Sequence, residues 1–244
     1  MRSRKSTAKS LGEMMDALND AVFPEYADRD PNLAPERILK ALSTLAGEEV
    51  AQAFIAAIPE IKRLLATDVA AIEANDPAAS DQKEVVFCYP AVKAILYYRA
   101  AHVLLGLKVP VLPRMLTEYA HSVTGIDIHP GAQIDEYFAI DHGTGTVIGE
   151  TAIIGKHVTL YQGVTLGAKN FVYDETGRPR DIPRHPIIED NVTVYSNASL
   201  LGRITIGEGS IIGGNVWLTH SVPPRSRILQ VHYREAYFKE GEGI

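Results

Sequence analysis

Cysteine is almost absent from this chain of 244 residues: Cys88 is the only one, so no disulfide framework can form within it. Its position among helical segments suggests a small residue packed inside them. Also missing is any apolar run near the roughly 20 residues that a bilayer-spanning helix needs. The basic stretch at residues 1–10 lacks the apolar segment of a secretory signal and reads as a frayed, solvated tail. An excess of positive charge is lacking too. There are 24 Lys and Arg against 30 Asp and Glu, giving a formal charge of −6 and a pI near 5.8. Generic binding to nucleic acid or to an anionic membrane is therefore not expected. With 46% hydrophobic and 22% charged residues, the chain has the balance of an ordinary globular protein, and the expected compartment is the cytoplasm.

Two periodicities divide what is there. From Leu11 to about Val123 the apolar residues follow a helical period. Leu11, Met14, Met15, Leu18 and Val22 form one stripe, and Ile38, Leu42 and Leu45 another after Pro35. Ile61, Leu65, Val69 and Ile72 follow, then Val92, Ile95, Leu96, Val103 and Leu104. After Gly125 the period becomes six. Aliphatic residues recur at Ile128, Ile134, Ile140, Ile148, Ile154, Leu160 and Leu166, then at Ile188, Val194, Leu200, Ile206, Ile212 and Leu218. Most are followed four residues on by a small or β-branched residue, among them Ala132, Ala152, Val158, Val164, Val192, Ala198, Ser210 and Val216. A six-residue period forms no stripe on a helix of 3.6 residues per turn; it is the mark of a parallel β-helix with three hexads per triangular coil. Thirteen such hexads give just over four coils. The expected fold is α+β: a helical domain at 1–123, a β-helix at 124–224 and a C-terminal tail at 225–244.

The period breaks twice. Ile140 to Ile148 is a step of eight, with Asp141, His142, Gly143, Thr144 and Gly145 in the bulge. Leu166 to Ile188 is a step of twenty-two, and its charge- and proline-rich residues 169–186 are expected to leave the coil as a loop. Function often sits on such excursions from a rigid scaffold. Asp127, Asp141, His142 and His185 cluster around the two breaks. Asp127 stands nearly one coil before His142, so stacking is expected to bring them close. A carboxylate on one imidazole nitrogen fixes the tautomer and makes the other nitrogen a better base, as an alcohol nucleophile requires. The bland alternative is a hydrogen-bonded histidine at a coil corner. Zinc is a rival, because γ-class carbonic anhydrases hold the metal with three histidines on a similar scaffold. His142, His157 and His185, spaced by fifteen and twenty-eight residues, match that pattern poorly, and no metal is expected.

The runs Asp127-Ile128-His129-Pro130-Gly131-Ala132, Asp141-His142-Gly143-Thr144-Gly145, Ile148-Gly149-Glu150-Thr151-Ala152, Gly163-Val164-Thr165-Leu166-Gly167 and Arg184-His185-Pro186 stand in an informative order. Together with Asp76-Pro77-Ala78 and Tyr98-Arg99 upstream, they resemble the serine O-acetyltransferases over about residues 76–224. The resemblance implies a left-handed β-helix and transfer of acetyl from acetyl-CoA to the L-serine hydroxyl, for cysteine biosynthesis. It implies His142 as general base oriented by Asp127, with His185 reaching the same pocket from a neighbouring subunit. Asp76 and Asp141 would face the substrate ammonium and Arg184 its carboxylate. Backbone N–H groups around Gly167 and Ala168 are candidates for the oxyanion, and small residues at Ser196, Gly213 and Gly214 for contact with the pantetheine arm. Cys88 matches nothing catalytic in the family.

The same resemblance implies trimers that pair through the N-terminal helices into hexamers. It also implies a partner: the tail Gly241-Glu242-Gly243-Ile244 is similar to the one with which the family engages O-acetylserine sulfhydrylase. Feedback inhibition by L-cysteine is a further implication. Two departures stand out. The loop at 169–183 is longer than usual, which keeps homoserine or another hydroxylated acceptor open. The family's terminal Gly-x-Pro-Ala-Arg run is replaced by Ser226-Arg227-Ile228. A non-catalytic trimeric scaffold or a metal-binding β-helix are the readings outside the transferase class.

Overall fold

The computed structural model describes residues 4–230 except 171, 179 and 181. Among them the first half forms six α-helices: α1 (Arg4–Val22), α2 (Ala34–Ala46), α3 (Glu48–Asn75), α4 (Gln82–Cys88), α5 (Pro90–Gly106) and α6 (Leu112–Thr124). The apolar stripes decide how they pack. Leu11, Met14, Met15, Leu18 and Val22 are buried against Ile38 and Leu42 of α2 and the stripe Ile61–Ile72 of α3. Pro35 and Pro90 stand in the first turns of their helices, where a missing N–H costs nothing. Two expectations need correction. Residues 4–10 are the first turns of α1 and not a frayed tail, because the helix runs on through them towards the buried stripe. Cys88 is exposed at the end of α4, since the buried face of that short helix is taken by Val85.

After α6, Gly125 takes a left-handed conformation (φ +72°) and its N–H caps the helix on the His121 carbonyl. The chain then winds into a parallel β-helix with three faces. Face one stacks Asp127–Ile128, Val147–Ile148, Thr165–Gly167, Ser199–Leu201 and Trp217–Leu218. Face two stacks Gln133–Ile134, Ile153–Ile154, Ile187–Ile188 and Thr205–Ile206. Face three stacks Ala139–Asp141, Thr159–Tyr161, Thr193–Val194, Ile211–Ile212 and Arg227–Ile228. All thirteen aliphatic positions of the six-residue period point inward and are buried, in columns such as Ile140–Leu160–Val194–Ile212. Each such side chain, fully removed from water, stabilises the stack by about 1.5–3 kcal/mol before entropy is counted.

The solenoid runs further than the hexads suggested. Val222 bridges Ile206, and Arg227–Ile228 adds a strand to face three, beyond residue 224. Residues 231–244 lie outside the described residues, and with them the Gly241–Ile244 tail. The loop at 169–186 leaves the coil as expected, since Gly167 ends face one and Ile187 begins face two without a strand between.

One buried ion pair fixes the helices to the first coil. Arg99 of α5 grips Asp68 of α3 through Nε (2.6 Å) and Nη2 (2.9 Å), and both groups are almost wholly removed from solvent. Asp68 also accepts the Phe138 N–H at 3.0 Å, while Arg99 donates to the Asp135 carbonyl at 3.0 Å. Next to it, the Tyr98 hydroxyl donates to the Ala132 carbonyl at 2.7 Å. The C-terminal end of α3, and Asp76 beyond it, is thereby held over the third face.

Candidate active site

The first break in the period builds the corner between face three and face one. Asp141 ends a strand, and His142 turns the chain at φ +55°, a left-handed conformation that non-glycine residues rarely adopt. Gly143 follows at φ +88°, and a Cβ there would lie 2.5 Å from Ile126 Cδ1, so only glycine closes this corner. The result is an imidazole pushed out into solvent, with Nε2 4.0 Å from Asp141 Oδ1. Asp76, beyond the end of α3, sits close enough for the charge of His142 to help lower its pKa. The larger causes are the hydrogen bonds that Asp76 accepts from the Tyr89 hydroxyl and the Ala78 N–H. Asp76 and Asp141 line one small cleft with Asn75 and Ile140. Tyr161 stacks one coil away from Asp141, and on Tyr195 of the next coil with ring centroids 4.9 Å apart.

Asp127 is not a direct stack partner of His142. The bulge lengthens the first coil, so Asp127 pairs in register with Val147, and the corner at 142–145 closes against Gly125 and Ile126. No hydrogen bond joins Asp127 to His142 among the described residues; Asp127 Oδ1 lies 3.9 Å from Arg114 Nη1. Glu118, His121 and Asp127 bring three ligand atoms within 4.8 Å of one another. Arg114 pairs with both of those carboxylates and supplies the positive charge.

The second break builds the opposite end of face one. His185 is buried, and its Nδ1 accepts the Thr151 N–H at 3.0 Å. The Thr151 hydroxyl accepts the backbone N–H groups of Arg184 (2.9 Å) and His185 (3.1 Å), which leaves its own proton for Nδ1 at 2.9 Å. An Nδ1 that accepts fixes the tautomer with the proton on Nε2. Burial, helped by the Arg184 charge, lowers the pKa of His185 to about 4. His185 is therefore a neutral donor through Nε2–H and not a base there. Its ring lies against Gly149, where a Cβ would fall 2.0 Å from Cδ2. Arg184 is ion-paired with Glu150, and Arg203 Nη1 ties the corner together through the carbonyls of Thr151 (2.6 Å) and His185 (2.9 Å).

The remaining predicted residues divide between these two ends. Ser196, Gly213 and Gly214 lie on the His142 edge, where Gly214 comes within 3.2 Å of the Ser196 carbonyl when given a Cβ. Gly167 and Ala168 lie on the His185 edge, and the Ala168 N–H has no hydrogen-bond partner among the described residues. In one chain His142 and His185 are thus kept at opposite ends of a face. Thr151 and Tyr89 were missed by sequence reasoning. The first acts through a residue 34 positions away, and the second has no period; the only signal was its adjacency to Pro90 before a helical stripe.

The stacked hexads make this a hexapeptide-repeat protein, and residues 185–220 match the family described as bacterial transferase hexapeptide (six repeats). Within that class, the chain belongs to the serine acetyltransferase family. It is 51% identical over 237 residues to the serine acetyltransferase, plasmid, of Synechococcus elongatus, covering 96% of this chain and 74% of that protein. The Bacillus subtilis serine acetyltransferase is 42% identical over 69% of this chain and 74% of its own length. Among solved structures, serine acetyltransferase isoform 3 of Entamoeba histolytica in complex with cysteine superposes with a TM-score of 0.79 at 32% identity. The match covers 93% of this chain and 84% of that one. The coenzyme A complex of the Brucella abortus enzyme gives 0.68 at 27% identity, over 91% and 79%. No described helix is long and apolar enough to cross a membrane.

Proposed function

We infer that this chain transfers the acetyl group of acetyl-CoA to the hydroxyl of L-serine, giving O-acetyl-L-serine and CoA for cysteine synthesis in the cytoplasm. The observation that carries the reading is the His142 corner: an exposed imidazole beside two carboxylates, Asp76 and Asp141. No Lys or Arg pairs with either of them among the described residues. Such a corner suits an acceptor that brings its own ammonium next to the hydroxyl to be deprotonated. His142 takes the hydroxyl proton as the oxygen attacks the thioester carbonyl, and returns it to the departing thiolate. His185 offers its Nε2–H from an adjacent subunit, and the Ala168 N–H, unpartnered among the described residues, suits the developing oxyanion. Arg184 is assigned to the serine carboxylate by exchange with Glu150, and Asp127 to the orientation of His142. Ser196, Gly213 and Gly214 line the edge along which the pantetheine arm would run.

The division of these groups between two ends of a face supports a trimer; its pairing through the N-terminal helices into a hexamer is carried by family membership. A sulfhydrylase bound through Ile244 and inhibition by L-cysteine are carried by family membership, the latter strengthened by the cysteine complexes of the Entamoeba enzymes. Homoserine is the second acceptor to consider, because the long loop at 169–183 borders the His185 end. The test is release of CoA thiol with L-serine, L-homoserine and a galactoside. L-serine is expected to lead, and His142→Ala to lower kcat by about 10²–10⁴-fold. Activity that survives that substitution would remove His142 as base; turnover only on another acceptor would reassign the substrate.

A further inference from the structure

We propose that Tyr89 is a positioning residue that aims the Asp76 carboxylate at the acceptor's ammonium group, an inference that rests on the activity assigned above. Asp76 stands just past the last turn of α3, and Tyr89 is the residue before Pro90 at the start of α5. The Tyr89 hydroxyl donates to Asp76 Oδ2, and the Ala78 N–H donates to Oδ1 at 2.8 Å. These two bonds close the segment that carries α4, so that the carboxylate is tied from both sides of its own loop. Within it, Glu84 accepts from Ser80 and stiffens the turn into α4.

The chemistry of the two donors matters. A carboxylate has about four lone-pair sites, and two neutral donors occupy half of them without cancelling the charge. An arginine in the same place would have held Asp76 equally well and neutralised it. Asp76 therefore remains an anion of fixed orientation, with Asp141 across the cleft. Among the described residues Asp141 has only His142 as an ion-pair partner, at 4.0 Å. A fixed Asp76 carboxylate with a second carboxylate beside it, and no Lys or Arg paired with either among the described residues, is complementary to a primary ammonium. Tyr89 is suited to its part because the neighbouring Asp76 pushes the phenol pKa up to about 12, so that it stays a donor at any working pH.

A residue that acts only through Asp76 has a distinct kinetic signature. Tyr89→Phe removes one hydroxyl from a half-buried ring and leaves its packing. It is expected to raise KM for L-serine about three- to tenfold, with kcat and KM for acetyl-CoA within about twofold. In an Asp76→Asn background, where no charge is left to aim, the same substitution is expected to change KM for L-serine by less than about twofold. The cycle is run on the full-length protein with thermal melts of all four forms. An unchanged KM in Tyr89→Phe, an equal cost in both backgrounds, or a loss shared by acetyl-CoA would overturn the proposal. Absence of any CoA release from L-serine by the unmodified protein would instead overturn the activity on which it rests.

Discussion

At the scale of single residues, His185 shows how a fold can commit an imidazole to one role. Thr151 supplies both an N–H and a hydroxyl to Nδ1, and burial holds the pKa at about 4 against an ordinary value of 6.5. The sign of the stability effect follows from proton counting. Between about pH 6.5 and 4 the unfolded chain binds a proton at this residue that the folded chain refuses, so stability falls as pH is lowered through that window and is flat above it. Urea midpoints measured across this range are expected to decline more steeply for the unmodified protein than for His185→Gln. His129, whose pKa burial also lowers, leaves a residual slope of the same sign in both. Equal slopes would mean that His185 is not held neutral. His185 itself was legible in the sequence as part of Arg184-His185-Pro186. Its tautomer was not, because that depends on Thr151, which reaches it only once the third coil has stacked on the second.

Between elements, the decisive contact is the Asp68–Arg99 pair, which couples α3 and α5 to the first coil through the Phe138 N–H and the Asp135 carbonyl. Removing one member leaves an unpaired buried charge, so Arg99→Leu is expected to cost about 3–5 kcal/mol in equilibrium unfolding. Buried ion pairs can often be replaced as a unit at little cost. Here the Asp68→Leu, Arg99→Leu double variant is expected to recover only part of that loss, since the coil's N–H and carbonyl groups lose their partners too. Full recovery would show that the pair acts only on itself. The elements were visible in advance where burial is periodic, as the thirteen inward aliphatics of the β-helix attest. What joins them was not: Asp68 and Arg99 each sit in an ordinary helical context and are 31 residues apart. The same limit explains the coil count. Val222 and Ile228 complete the stack through Pro223 and Pro224, where the hexad pattern is lost although the backbone still pairs.

For the whole molecule, the separation of His142 from His185 makes a quantitative demand on the assembly. If each site takes its base from one subunit and its neutral donor from the next, a monomer holds two halves and no whole. Two inactive proteins should then repair each other. His142→Ala keeps a sound His185 end, and His185→Ala a sound His142 end. Unfolded together in equal amounts and refolded at random into the proposed trimer, they would give interfaces that draw an intact half from each side with probability one half times one half. About a quarter of the wild-type activity is expected to return, while either variant refolded alone stays near its own background. A chain carrying both substitutions, mixed with unmodified chains, sets the control: its sites fail on both sides, and activity falls with the square of the unmodified fraction. Recovery near zero in the first mixture would place both histidines in one subunit's site, and would require face one to be bridged within a single chain. A yield near one quarter would instead tie catalysis to the cyclic contact itself, with Asp76, Asp141 and His142 presented by one subunit to Arg184, His185 and the Ala168 N–H of the next.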